Sequence, residues 1–339
     1  MLINRKKVLL IASICFIAST AIIIPLIFFS KYLPFNTVEL GQLDTGGFAY
    51  DVDIEGDIAY IVDRAEPNPG GLVIINISDP RHPAKLGFFY DGGFPIKVDV
   101  VGETAFLANP NIGLEVINVS VPSNPVKLDQ FTSSGAVYDV QIVGELAYIA
   151  DWSRGLVILN ISDYHDIREL ARFATSGACG QLYILNNRAY IVDHLSTYSS
   201  LRIIDVSDPY HPIQVGNHAP MDVDYWNPFV KDDYVYVCNH AVNGGGLHIL
   251  DISNPSHLIQ VGYHHDGGAI FASYIIGNYA FLADYEMGLN IIDISDPSNP
   301  TKTGHYFDGG HSYDVMVDGN IAYVADKEDG LEIIEILNL

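Results

Sequence analysis

One phrase recurs seven times along the chain, and it limits what the chain can fold into more than any other feature. Its first half is an aromatic-containing run ending in Asp or Asn: AYIVD at 59–63, AFLAN at 105–109, AYIAD at 147–151, AYIVD at 189–193, VYVCN at 235–239, AFLAD at 280–284 and AYVAD at 322–326. Its second half is an apolar run opened by Gly-Leu or Ser-Leu: GLVIINISDP from Gly71, GLEVINVSVP from Gly113, GLVILNISDY from Gly155, SLRIIDVSDP from Ser200, GLHILDISNP from Gly246, GLNIIDISDP from Gly288 and GLEIIEILNL from Gly330. The closing Asp or Asn positions are 46, 42, 42, 46, 45 and 42 residues apart. A unit of that length with Val, Ile and Tyr runs broken by Gly, Pro, Asn and Asp is one four-stranded propeller blade.

The first unit parses into strand A at 50–54, a turn at Glu55-Gly56-Asp57, strand B at 58–63, strand C at 72–77, a Ser78-Asp79-Pro80 turn and strand D at 85–90. The chain opens with TVELGQLDT at 37–45, which matches the strand-D phrase AKLGFFYDGG, and it ends after a C strand at 331–336. The expected fold is therefore all-β: a seven-bladed β-propeller over 37–339, whose N-terminal strand completes the last blade and hides the open edges.

The GLxIIDISDP phrase, followed by Asn-Pro or His-Pro and a strand-D Gly, resembles the LVIVD-repeat family of extracytoplasmic β-propellers over the whole of 37–339. The resemblance implies the fold and a surface-anchored or secreted setting; it transfers no catalytic residue. Signatures of other propellers are missing, among them a Trp-Asp repeat ending, a kelch double glycine and a tryptophan docking pattern.

Ahead of the repeats, Arg5, Lys6 and Lys7 precede an uncharged apolar run from Val8 to Phe29. About 20 apolar residues span a bilayer core, and basic residues stay on the cytoplasmic side. Residues 1–30 read as a cytoplasmic tip and transmembrane signal-anchor, and 31–36 as a linker to an extracytoplasmic propeller. The run exceeds a secretory core, the residues after it show no A-x-A cleavage pattern, and Ile14 is too bulky for Cys15 to be a lipoprotein cysteine. Residues 36–339 hold 13 basic against 41 acidic residues, a net of −28. Such a surface excludes nucleic acid as a partner and favours cations or basic surfaces; solubility in salty or acidic surroundings explains it equally well.

Function is expected on the loops of one face around the central channel. The repeated strand-B ends (Asp63, Asn109, Asp151, Asp193, Asn239, Asp284, Asp326) are expected to cap loops, because a residue type common to every blade serves the fold. Positions that vary between blades are better site candidates. Just after the ring these are Trp152, His194, His240 and Tyr285, with Trp226 in a long crossover into blade five. Aromatic faces beside Asp, Asn and His suit sugars or peptides, so a surface protein or glycan is the expected partner. At the start of strand A stand Asp51, Asp139 and Asp314, oxygen donors for Ca²⁺ or another divalent cation, and His311 adds a nitrogen donor.

No G-x-S-x-G, P-loop or H-E-x-x-H occurs, so a non-catalytic binding or scaffold module is expected. The rival is a metal-assisted hydrolase or lyase at the channel mouth, and a third reading is a surface-coat protein. Cys179 and Cys238 fall in adjacent blades and are expected to be free thiols rather than a disulfide. Asn76, Asn118 and Asn160 lie in N-glycosylation sequons but align with Asp205, Asp251 and Asp293, which points to turn chemistry.

Overall fold

A computed structural model describes residues 35–339 apart from 65–69, 91, 197, 242–243 and 266. The apolar run Val8–Phe29, Cys15 and most of the linker lie outside the described residues. Among the described residues no helix is long and apolar enough to cross a membrane.

Seven four-stranded antiparallel sheets follow one another. In blade one, strands A to D are Phe48–Glu55, Ile58–Arg64, Gly71–Asn76 and Ala84–Phe89. Blade seven takes Ser312–Asp318, Ile321–Asp326 and Gly330–Leu337 as strands A to C, and Asn36–Leu43 from the other end of the chain as strand D. The closing pair runs from Asn36 opposite Leu337 to Leu43 opposite Leu331. The ladder starts at Asn36, and Phe35 already bridges Gly304 of blade six, so the expected linker ends before residue 35.

Strands B and C are apolar on both faces because each sheet is sandwiched between two others. Tyr60, Val62, Leu72 and Ile74 of blade one pack on Val98, Val100, Ala105 and Leu107 of blade two. The alternate residues Ile61, Val73 and Ile75 pack on Tyr323, Ala325, Leu331 and Ile333 of blade seven. Each inter-blade layer is thus a separate hydrophobic core.

Turn chemistry sets the strand lengths. The A–B turn needs a left-handed residue, supplied by Gly56 at φ 58° and, in blades four and five, by Asn186 and Asp232 at φ 51° and 54°, residue types that tolerate that region. After strand C, the side-chain oxygens of Asn76, Asn118 and Asn160 accept the Ser78, Ser120 and Ser162 N–H at 2.8–3.0 Å. Asp205, Asp251 and Asp293 accept the matching Ser N–H at 2.8–2.9 Å. The sequon asparagines and the aspartates therefore build the same Asx turn.

The strand-D glycine is where one blade touches the next turn. A Cβ on Gly87 would lie 1.9 Å from the Pro122 carbonyl oxygen, and one on Gly216 would lie 2.1 Å from that of Pro255. The Pro and Gly of the repeated phrase thus meet across the blade boundary. Cys179 and Cys238 are both buried, and burial pushes the Cys179 thiol well up.

Candidate functional site

The strand-B ends form a buried ring of loop caps. Asn109 Oδ1 accepts the N–H groups of Phe94 and Asn111 at 3.3 and 3.1 Å. Asp151 Oδ1 accepts those of Ser153 and Arg154 at 3.3 and 3.2 Å, and Asp193 Oδ1 takes Gly177 N–H at 2.9 Å. These groups hold the loops.

Inside this ring the first residues of strand A line the channel. Lys97 Nζ donates to Asp51 Oδ1 and lies 3.4 Å from Asp314 Oδ2. The other bonds of these carboxylates tie strand A of one blade to strand A of the next: Val98 N–H donates to Asp51 at 2.7 Å, Leu182 N–H to Asp139 at 2.8 Å and Val52 N–H to Asp314 at 3.3 Å. The three oxygen donors expected for a cation do converge on the channel, where Lys97 and neighbouring backbone N–H groups engage them. Burial raises the Asp139 carboxyl to about 6, against the attraction of Lys97, and raises Asp51 as well. Burial alone would lower Lys97; the charges of Asp314, Asp51 and Asp139 outweigh it and lift the amine above its ordinary value. One layer deeper, burial and the neighbouring Asp99 raise Asp53 to about 7, and its carboxylate accepts Val100 N–H at 2.6 Å.

Above this charged floor the channel opens into a cavity of about 230 Å³ walled by Tyr50, Tyr138, Trp226, Phe271 and Tyr313, with Arg64 and Ile96. Each of these five aromatic residues falls at an irregularity in the A–B ladder. Ala49 faces Asp63 and Asp51 faces Val62, leaving Tyr50 unpaired between them. The ladder skips Tyr138, Phe271 and Tyr313 in the same way, and shifts again over Trp226. A bulge of this kind re-aims its extra side chain, here into the channel mouth.

The residues that follow the ring stack behind these five and join them into a collar. Ring centroids run from Tyr138 to Trp152 (4.8 Å), to His194 (5.7 Å), to Trp226 (5.1 Å), to His240 (5.4 Å) and to Phe271 (4.4 Å). Phe271 continues to Tyr313 (4.6 Å) and Tyr285 (5.4 Å), and Tyr313 to Tyr50 (4.5 Å). Arg64 closes the line with its guanidinium 4.7 Å from the Tyr50 ring centre. Blade two, with Ile96 and Pro110, contributes no aromatic ring at these positions.

Polar groups fix the collar's tilt. Asp224 places one oxygen 3.5 Å from His194 Nδ1 and the other 3.6 Å from His240 Nδ1, and these two contacts hold its carboxyl well below the usual range. His194 Nε2 lies 3.2 Å from Gln181 Oε1. Lys327 Nζ donates to the Tyr285 hydroxyl at 3.3 Å. His311 stacks on Tyr285 at 4.3 Å and contacts Glu328 at 2.7 Å.

The expected site residues therefore fall into two connected layers. Trp152, His194, Trp226, His240, Tyr285 and His311 lie in or against the collar, and Asp51, Asp139 and Asp314 lie on the floor. The inner aromatics Tyr50, Tyr138, Phe271 and Tyr313 were missed. The available signal was an aromatic residue recurring directly before the variable strand-A position, which strict alternation would have aimed into the sheet interface.

The fold and its repeat define the class: a seven-bladed propeller built from copies of one strand phrase. The LVIVD-repeat family model matches seven segments, 46–91, 92–132, 134–175, 176–219, 226–265, 274–308 and 309–339, and the chain belongs to that family. No curated protein matches it in sequence. Among solved structures, virginiamycin B lyase from Staphylococcus aureus superposes at TM-score 0.70 with 10% identity, covering 89% of this chain and 100% of that one. A catalytically inactive variant of the same lyase with quinupristin gives 0.69 at 10% identity, with the same coverage. The computationally designed protein Ika8 gives 0.65 at 8% identity, covering 88% and 99%. At these identities the likeness is one of fold alone.

Proposed function

We propose that this protein is a non-catalytic binding module, tethered to the outer face of a membrane by Val8–Phe29, that takes a protein or glycan ligand on its aromatic collar. The observation that carries the reading is the collar itself: aromatic rings from six blades gathered around one cavity, five of them aimed there by ladder irregularities. Such rings stack on the apolar faces of sugars or on proline and aromatic side chains, while nearby polar groups fix orientation. The tether rests on the basic-then-apolar pattern of the N-terminus.

The test is a glycan array and a surface-protein pull-down with the full-length protein, then titration of whatever binds. Trp226→Ala and Phe271→Ala should each weaken that ligand by roughly ten- to a hundredfold, on the scale of about 1–3 kcal/mol for one stacked aromatic. Unchanged affinity in the double variant would sink the reading.

A second reading is a hydrolase or lyase at the same mouth. The feature that favours it is the pairing of His194 and His240 through Asp224 beside the cavity, an arrangement able to orient imidazoles for proton transfer. It predicts that the bound ligand is turned over and that His240→Ala abolishes turnover while binding persists.

A further inference from the structure

Blade seven departs from the other blades at the start of strand C. The second residue after the strand's opening position is Val73, Glu115, Val157, Arg202, His248, Asn290 and Glu332 in blades one to seven, beside the buried strand-B ends. In blades two, three and four the buried charge here is met by a counter-charge. Glu115 receives Lys127 Nζ at 2.9 Å and Asn109 Nδ2 at 2.7 Å in blade two. Arg154 lies 3.8 Å from Asp151 in blade three, and Arg202 lies 2.7 Å from Asp193 in blade four. In blade seven the pattern fails. Carboxylate oxygens of Asp308, Asp329 and Glu332 all lie within 4.8 Å of one another. Among the described residues no Lys or Arg pairs with any of the three. Glu332 is only 2% exposed, and its Oε1 has no hydrogen-bond partner. A buried, unsatisfied carboxylate oxygen is costly and needs a partner.

We propose that Asp308, Asp329 and Glu332 form a divalent-cation site in blade seven, separate from the channel, that takes Ca²⁺. The donor set is all oxygen, which selects a hard cation over the metals that prefer nitrogen or sulfur. Ca²⁺ binds oxygens at about 2.3–2.6 Å, so any two of its ligand oxygens stand no more than about 5 Å apart, and the three carboxylates here fall within that bound. Each ligand comes from a different element. Asp308 lies in the crossover out of blade six, Asp329 in the B–C loop and Glu332 in strand C. Glu332 also faces Gln42 of the closing strand in register, and Gln42 Nε2 donates to the Asp329 carbonyl at 3.5 Å. A cation here holds the last crossover and loop against the strands that close the ring.

The test is calorimetric titration of EDTA-treated full-length protein with calcium chloride, paired with thermal melts. One ion should bind per chain and raise the melting temperature. Glu332→Gln and Asp329→Asn should each weaken binding at least about tenfold. Glu115→Gln, at the same strand position in blade two, should leave binding unchanged. Metal-free Glu332→Gln should melt no lower than the metal-free parent, since it removes an unsatisfied buried carboxylate, and it should gain nothing from calcium; a merely structural Glu332 would instead lower the metal-free melt. The proposal is overturned if calcium neither binds nor shifts the melt, or if Glu332→Gln binds as tightly as the parent. Neither result bears on the collar.

Discussion

Gly180 stands where other blades place an inner aromatic residue, and the missing side chain is what lets His194 enter the collar. A Cβ there would lie 2.7 Å from His194 Nε2. Gly180→Ala should push the imidazole away from Gln181 and break the stack between Trp152 and Trp226. Ligand affinity is expected to fall several-fold, with a stability change below about 1 kcal/mol because the imidazole can yield. Titration and urea melts of one variant check both halves. On the floor, Lys97 is the cation placed among Asp51, Asp139 and Asp314. Lys97→Met leaves buried carboxylates without their counter-charge and should cost about 3 kcal/mol in urea unfolding.

At the scale of the strand, sequence and structure part company in an instructive place. Blade number, turn residues, the turn role of Asn76, Asn118 and Asn160, and a closing strand from residue 37, one residue inside its observed start, were all legible, because each recurs with the repeat and has one physical use. The inner collar was not. Reading residues by strict alternation assigns Tyr50 and Asp51 to opposite faces, and only the skipped register brings both to the channel. The acidic trio was equally hidden, since residues 308, 329 and 332 come from three elements whose approach no spacing shows. Its trace was a charge imbalance visible only when strand-C positions are compared blade by blade. The contact between the strand-D glycine and the next turn carries its own prediction. Gly87→Ala drives a methyl group against the Pro122 carbonyl and should destabilise by about 1–3 kcal/mol, read by chemical denaturation; a neutral result would mean that the blade boundary is looser than its geometry.

For the whole molecule, the buried carboxylates set a pH response. Asp53 and Asp139 have folded-state values raised to about 7 and about 6, from an ordinary 3.8. Between those limits the folded chain holds protons that the unfolded chain has released, so this stabilisation is complete below about pH 4 and is lost as pH rises through 6 and 7. Asp224 works the other way: its depressed value contributes above the ordinary carboxyl range and is lost only in stronger acid. The melting temperature should therefore be higher at pH 5 than at pH 8. The net charge of −28 on 36–339 pushes in the same direction, so Asp53→Asn is the discriminating variant, and it should narrow the gap.

The closing ladder has a mechanical consequence. Asn36–Leu43 lies antiparallel along the chain's last strand, Gly330–Leu337, so tension applied at residue 35 and resisted by the propeller runs along the strand axis. The ladder's hydrogen bonds are then loaded together, in shear, rather than peeled open one at a time from an end. Folding meets the same geometry from the other side. Strand Asn36–Leu43 has no ladder partner until Gly330–Leu337 is in place, so the seventh blade joins two segments nearly three hundred residues apart.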